Sequence, residues 1–313
     1  VKTQECFIGK SKMRIENDLK LDLDDVMIRP NRSSVTPEGV SLHRNLGYFI
    51  GVPVVASNMD ITGTIEIANV LEKYQMMTCL HKNYDLEELY DFFFTPREFA
   101  AYSMGTSDTE LHKWNTLKSK LPKGNIRFVC IEEENAHNDD FLEFVRQFKE
   151  DNPEISLIVG NVVTDVMTEV LIHKGADIIK IGMNIDGVGV PQLSAVIECA
   201  HVAHSKGKRI MADGGARTPG DIAKLFAAGS DFVMLNTMFA GHEESGGETF
   251  VENGEMFKTL RGDEKIPFKG TITSTVENIL RGLRSTCTFV GAKELREISK
   301  CTTFVRKNNG QRL

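Results

Sequence analysis

Eight times between residues 52 and 236 a short apolar run gives way to a helical pattern and then returns. The runs are VPVVAS (52–57), MMTCLH (76–81), FAAYSM (99–104), IRFVCI (126–131), ISLIVG (155–160), DIIKIG (177–182), RIMADG (209–214) and DFVMLN (231–236). Each is dominated by β-branched or large apolar side chains without polar alternation, as expected of strands buried on both faces of a parallel sheet. Between them the period becomes helical. Leu193, Val196, Ile197 and Ala200 recur at i, i+3, i+4 and i+7, after Pro191 at an expected first helical position and before Gly207. Thr218-Pro219-Gly220-Asp221 reads as a capped helix start, with Ile222, Leu225 and Phe226 on one face and Gly229 closing it. Eight strand–helix units without a composition break predict a (β/α)8 TIM barrel of class α/β, spanning 1–313 as one domain. No GxGxxG follows any strand, which weighs against a Rossmann arrangement.

Two segments stand outside this rhythm. Residues 1–49 are polar and irregular, and are expected to lead in across the closed end of the barrel. Residues 238–272 are Gly-rich and charged, and read as a long excursion after strand 8. The net charge of −7 leaves no excess of Lys and Arg to neutralise phosphates, so a nucleic-acid partner is not expected. No apolar run approaches a membrane span, and the N-terminus lacks the basic-then-apolar pattern of a signal peptide. Six cysteines are scattered singly, and Cys79, Cys130, Cys199 and Cys287 lie in apolar segments; buried thiols in a reducing cytoplasm are expected.

In a barrel of this kind chemistry collects at the C-terminal ends of the strands. Polar residues there are Asn58 and Asp60, His81 and Lys82, Ser103 and Thr106 to Asp108, Glu132 to Asn135, Asn161 and Thr164, Asp213 to Gly215, and Asn236 with Thr237. Asp213-Gly214-Gly215 is the most informative. A carboxylate at a strand end can take both hydroxyls of a ribose, and paired glycines let backbone N–H groups approach a phosphate. The same residues would also serve a tight strand-to-helix turn. Lys82 could neutralise a phosphate or a developing negative charge, or stand solvated on the rim. Glu132-Glu133-Glu134 could hold a general acid or base, or form a solvated acidic face. His137, His201 and His204 have no metal-binding spacing and read as surface residues, and no metal is expected.

These residues sit in stretches that resemble a known family. The segment 187–248, from "GVGVPQLSAVIECAHVAH" to "MFAGHEESGGE", is similar to the GMP reductase branch of the IMP dehydrogenase/GMP reductase family. So are "LKLDLDDVMIRPNRSS" (19–34), "GVPVVASNMDITGT" (51–64), "CLHKNYD" (79–85), "GTSD" (105–108), "GNVVT" (160–164), "IPFKG" (266–270), "GLRSTCTFVGAKEL" (282–295) and "CTTFVR" (301–306). The resemblance implies a TIM barrel, a cytoplasmic homotetramer, and NADPH-dependent conversion of GMP to IMP and ammonia. It places Asn58, Met59, Asp60, Gly182, Asp213, Gly214, Gly215, Asn236 and Thr237 on the nucleotide. It places Lys82, Thr106, Ser107, Asp108, Asn135 and Ser285 on the cofactor, with Lys82 and Glu132 as the catalytic candidates.

The sequence departs from the family pattern where that pattern carries a cysteine that attacks the purine C2. After strand 6 only Met183, Asn184, Ile185 and Asp186 precede Gly187-Val188-Gly189, and no thiol stands among them. The paired glycine after strand 8 is replaced by Asn236-Thr237, and the mobile flap is shortened, with Glu264 near its family glutamate. Two functions therefore stand open: an NADPH-dependent oxidoreductase acting on a purine or purine-like nucleotide, or a non-catalytic barrel that binds a nucleotide or a paralogous subunit.

Overall fold

Each of the eight apolar runs becomes a barrel strand: Val54–Ala56 (β1), Met77–Cys79 (β2), Arg97–Met104 (β3), Ile126–Glu132 (β4), Ser156–Val162 (β5), Ile178–Ile181 (β6), Arg209–Asp213 (β7) and Phe232–Leu235 (β8). Neighbours pair in parallel, and β7 pairs with both β8 and β6, closing the ring. This is a computed structural model, and it describes residues 15–133, 136–182, 184–185, 187–260, 262 and 264–307. Strand alternation sorts the apolar residues into two sets. Val55, Met77, Cys79, Ala101, Phe128, Cys130, Ile158, Ile178, Met211, Phe232 and Met234 fill the lumen. Their neighbours, such as Val54, Val129, Val159, Ile179, Ile210 and Val233, join the helices in the outer core.

The crossover helices are Ile65–Leu71 (α1), Leu86–Phe93 (α2), Asp108–Lys120 (α3), Asp139–Asp151 (α4), Asp165–His173 (α5), Gln192–Ser205 (α6), Pro219–Ala227 (α7) and Thr273–Val290 (α8). Side chains of Thr64, Asp85, Ser107, Asn138, Thr164 and Thr218 accept backbone N–H groups at the starts of α1 to α5 and α7. These caps fix the strand-to-helix loops and so shape the mouth. α6 differs. Its expected first residue, Pro191, stands one place earlier at the cap and offers no side-chain bond, so Gln192 begins the helix.

The N-terminal segment serves both ends of the barrel. The hairpin of Arg44–Asn45 with Ile50–Gly51 crosses the closed end, where Phe49 meets Phe99 and Phe232 edge-on at 5.8 and 5.0 Å. Residues 19–25, by contrast, lie on the mouth side. There Leu21 exchanges hydrogen bonds with Ser194 of α6, which seats the buried Leu23. The excursion after β8 is ordered: Thr249–Glu252, Glu255–Thr259 and Lys265–Pro267 make a three-stranded antiparallel sheet. Buried Lys258 anchors it by donating to the carbonyls of His242, Glu243 and Ser245. Among the described residues no helix is long and apolar enough to cross a membrane.

Candidate active site

β6 reads Ile178-Ile179-Lys180-Ile181, a lysine among isoleucines on a strand with no exposed face. Alternation turns Lys180 into the lumen on the same side as Ile178, and its side chain is 0% exposed. A buried ammonium requires partners. It finds two, pairing with Glu132 at the end of β4 and with Asp213 at the end of β7, the latter at 3.2 Å. Burial alone would lower its pKa, but Asp213 and Glu132 outweigh this and raise it well above 10.5. Lys180 is thus a fixed cation that orients two carboxylates, not an amine nucleophile.

Asp213 is held from further directions. Asn161 Nδ2 donates to its Oδ2 and to the Gly182 carbonyl, both at 2.9 Å. Gln192 Nε2 donates to the carbonyls of Ile181 at 2.8 Å and Asp213 at 3.3 Å. The uncapped start of α6 therefore has a use: its first side chain ties β6 to β7. Gly182 completes the joint, since a Cβ there would collide with the Asp213 carbonyl oxygen, and its φ of +154° disfavours any side chain.

Asn161, Gly182, Gln192 and Asp213 line a cleft of about 470 Å³ with Asp22, Pro191, Gly214 and Gly215. Gly214 and Gly215 take φ of +97° and +83°, so the loop after β7 turns left-handed beside the Asp213 carboxylate. The other wall is a tight hairpin in which Asn184–Ile185 pairs with Val188–Gly189. Met183 and Asp186 lie outside the described residues. No cysteine in the sequence lies between Gly182 and Gly189, and the described cysteines do not replace it. Cys79 and Cys130 are fully buried in the lumen. A hydrogen bond with Cys130, and then burial, hold the Cys79 thiol well above its usual pKa. Burial pushes Cys199 up to about 11 and Cys287 up to about 12.

The opposite side of the mouth gathers several of the remaining expected residues around two glutamates. Lys82 approaches Glu110 at 3.4 Å and is otherwise exposed, and Ser107 Oγ donates to the same carboxylate at 2.9 Å. Thr106 Oγ1 donates to Glu133 at 2.5 Å. Burial would raise the Glu110 pKa, but the Gly105 N–H, Ser107 and Lys82 bring it below 4.5. Asp60 accepts from Asn83 at 2.8 Å, beside half-buried Asn58 and Met59. Asp108 is the exposed first residue of α3. Asn236 and Thr237 form the turn after β8, where the Asn236 carbonyl accepts from Phe239 and Ala240. Ser285 lies on α8 and shares neither a hydrogen bond nor the cleft with these groups among the described residues. Glu134 and Asn135 lie outside the described residues.

The glutamate run is therefore not a solvated face where it is described, because Glu132 pairs with Lys180 and Glu133 with Thr106. His204 likewise does more than face solvent, since its Nε2 meets Asp231 at 2.8 Å. Reading the chain for site residues missed Lys180, although a charge inside an apolar strand was a usable signal. It also missed Gln192 and Glu110, which carry no signal beyond helical position. Among the described residues no cluster suited to a metal ion occurs.

The domain model described as IMP dehydrogenase / GMP reductase matches residues 96–264. The chain is 40% identical to GMP reductase of Caenorhabditis elegans over 336 aligned positions, covering 94% of this chain and 93% of that protein. It is 41% identical to GMP reductase of Citrobacter koseri, covering 94% of this chain and 96% of the relative. With GMP reductase 2 of Bos taurus the identity is 39%, covering 93% and 95%. The 336 positions exceed the 313 residues of the chain, so the alignment opens gaps in it, as shortened loops require. With the mouth geometry and these similarities together, the chain belongs to the IMP dehydrogenase/GMP reductase family.

Proposed function

We propose that this barrel binds a purine nucleotide at Asp213 and reduces it with NADPH, in the reaction class named for its relatives, GMP reductase. The observation that carries the reading is the immobilised Asp213 carboxylate, fixed by Lys180 and Asn161 beside the Gly214-Gly215 turn. Such a group accepts ribose hydroxyls without reorganising, and the adjacent left-handed backbone gives a phosphate room to approach. The cofactor side fits as well. Lys82 is an exposed cation whose partner Glu110 also binds the Ser107 hydroxyl, and the buried Ser103 Oγ at the end of β3 has no partner among the described residues. NADPH supplies a hydride when bound there.

This chain's own part is to bind, orient and exclude water. With no thiol between Gly182 and Gly189, the residues of the mouth would hold the nucleotide without a covalent enzyme adduct, and bound NADPH would supply the hydride for the purine C2. The exocyclic C2–N bond would then break as the leaving amine takes a proton, and the C2=N3 double bond of the ring would re-form. The Glu132 carboxylate at the end of β4 shares Lys180 with Asp213 and is assigned the proton-handling role. The oligomer is proposed to be a homotetramer and its compartment the cytoplasm, in line with the family resemblance.

The test is to incubate the protein with GMP and NADPH, following cofactor absorbance together with ammonia and IMP. NADPH consumption should match ammonia release, and Asp213→Asn should lower kcat/KM roughly 10- to 100-fold, the worth of a hydrogen bond to a charged group. Failure to oxidise NADPH with any purine nucleotide, with nucleotide binding intact, would instead assign the barrel a binding role.

A further inference from the structure

A second polar cavity, of about 240 Å³, lies at the closed end of the barrel, away from the mouth. Its walls include Arg44, His204, Arg209, Asp231, Arg296 and Ser299. Asp231 has a side chain only 1% exposed, and both of its oxygens are committed. Oδ1 accepts from Arg44 Nη2 at 3.0 Å, and Oδ2 meets His204 Nε2 at 2.8 Å and the Ile210 N–H at 3.1 Å. Arg44 spends its other terminal nitrogen on the carbonyls of Ser230 and Asp231, each at 3.3 Å.

Arg209 is left over. Its Nε is 4.0 Å from Asp231 Oδ1, beyond hydrogen-bonding range, and its one described hydrogen bond is a 3.5 Å contact with the Lys208 carbonyl. The Nε atoms of both Arg44 and Arg209 are buried without an acceptor among the described residues. Burial lowers the Arg44 pKa, and the neighbouring Arg209 charge acts in the same direction. Arg296, at the rim, is balanced by Glu294 at 2.6 Å. Two guanidinium groups thus share one carboxylate, leaving a cation with most of its five donors uncommitted beside a cavity. A planar fork of that kind matches an oxyanion in two parallel bonds.

We propose that this closed-end cavity is a second anion site, which takes a phosphate-class oxyanion on Arg209 with His204, Arg296 and Ser299 around it. The test titrates inorganic phosphate calorimetrically against chloride of equal ionic strength. Wild type, Arg209→Met, Arg209→Lys and Asp213→Asn are compared, with phenylglyoxal labelling of Arg209 read by peptide mass spectrometry. Phosphate should bind wild type and slow Arg209 labelling. Arg209→Met should weaken binding at least tenfold, Arg209→Lys should weaken it less, and Asp213→Asn should leave it intact. If GMP slows Arg209 labelling in Asp213→Asn better than inorganic phosphate does, the source is an esterified phosphate; the reverse order identifies the free ion. Phosphate heat no different from chloride, or unprotected Arg209, overturns the site. Phosphate binding lost in Asp213→Asn but kept in Arg209→Met also overturns it, by locating phosphate at the mouth and leaving the proposed function standing.

Discussion

Replacing the fully buried Lys180 with Met would leave the part-exposed Glu132 and Asp213 carboxylates without the cation that both contact. The two neighbouring carboxylates would then repel one another and lose a charged hydrogen-bond partner, and Lys180→Met should cost about 1–3 kcal/mol by denaturant titration. The double variant Lys180→Met/Glu132→Gln should recover part of that loss, because one orphaned charge goes with it. Legibility at this scale divides by chemistry. Asp213, Gly214 and Gly215 could be read because a carboxylate followed by paired glycines at a strand end has few uses, and all three line the cleft. Lys180 was equally readable in principle, as a charge among isoleucines. Gln192 was not, because a polar residue in the first turn of a helix usually faces water, and only the fold aims its amide at Ile181 and Asp213.

Elements were more legible than side chains, because caps and periods are local. Thr218 accepts the Asp221 N–H, and Asp221 reaches back to the N–H groups of Arg217 and Thr218, so the start of α7 fixes the loop that leaves Gly215. Thr218→Ala should cost about 1–2 kcal/mol in stability. It should also raise KM for the nucleotide more than it lowers kcat, measured by steady-state kinetics. The elements that sequence reading left unresolved are the antiparallel ones. Asn184–Ile185 with Val188–Gly189, and the sheet over 249–267, are too short or too irregular to show a period. Gly182 leads into the first of these, and in the second Lys258 of the central strand ties the sheet to the His242 carbonyl.

At the scale of the molecule, eight strand–helix units were enough to specify closure and residues 1–49 were expected at the closed end, where the 44–51 hairpin lies, whereas the ion pairs that hold that end were not visible. The closed end depends on Asp177 at the foot of β6. It accepts from Lys149 at 2.8 Å, from Lys208 at 2.6 Å and from the Leu157 N–H at 3.0 Å. Burial raises its pKa, but these bonds outweigh burial and set it below 3.8. A depressed pKa contributes stability above the unfolded value, and that contribution is lost as pH falls through the folded one. Wild type should therefore lose stability relative to Asp177→Asn as the pH drops below about 4, measured by thermal unfolding across an acid series.

The hairpin over 184–189 bears on how such a barrel changes over evolutionary time. Its two ends are already hydrogen-bonded neighbours, so a longer segment spliced between Ile185 and Val188 closes a loop whose ends need not move. Each doubling of that loop costs only about 0.6 kcal/mol. Gain or loss of a reactive loop there is almost invisible to folding, and lineages can trade chemistries at this point while selection on stability takes no notice.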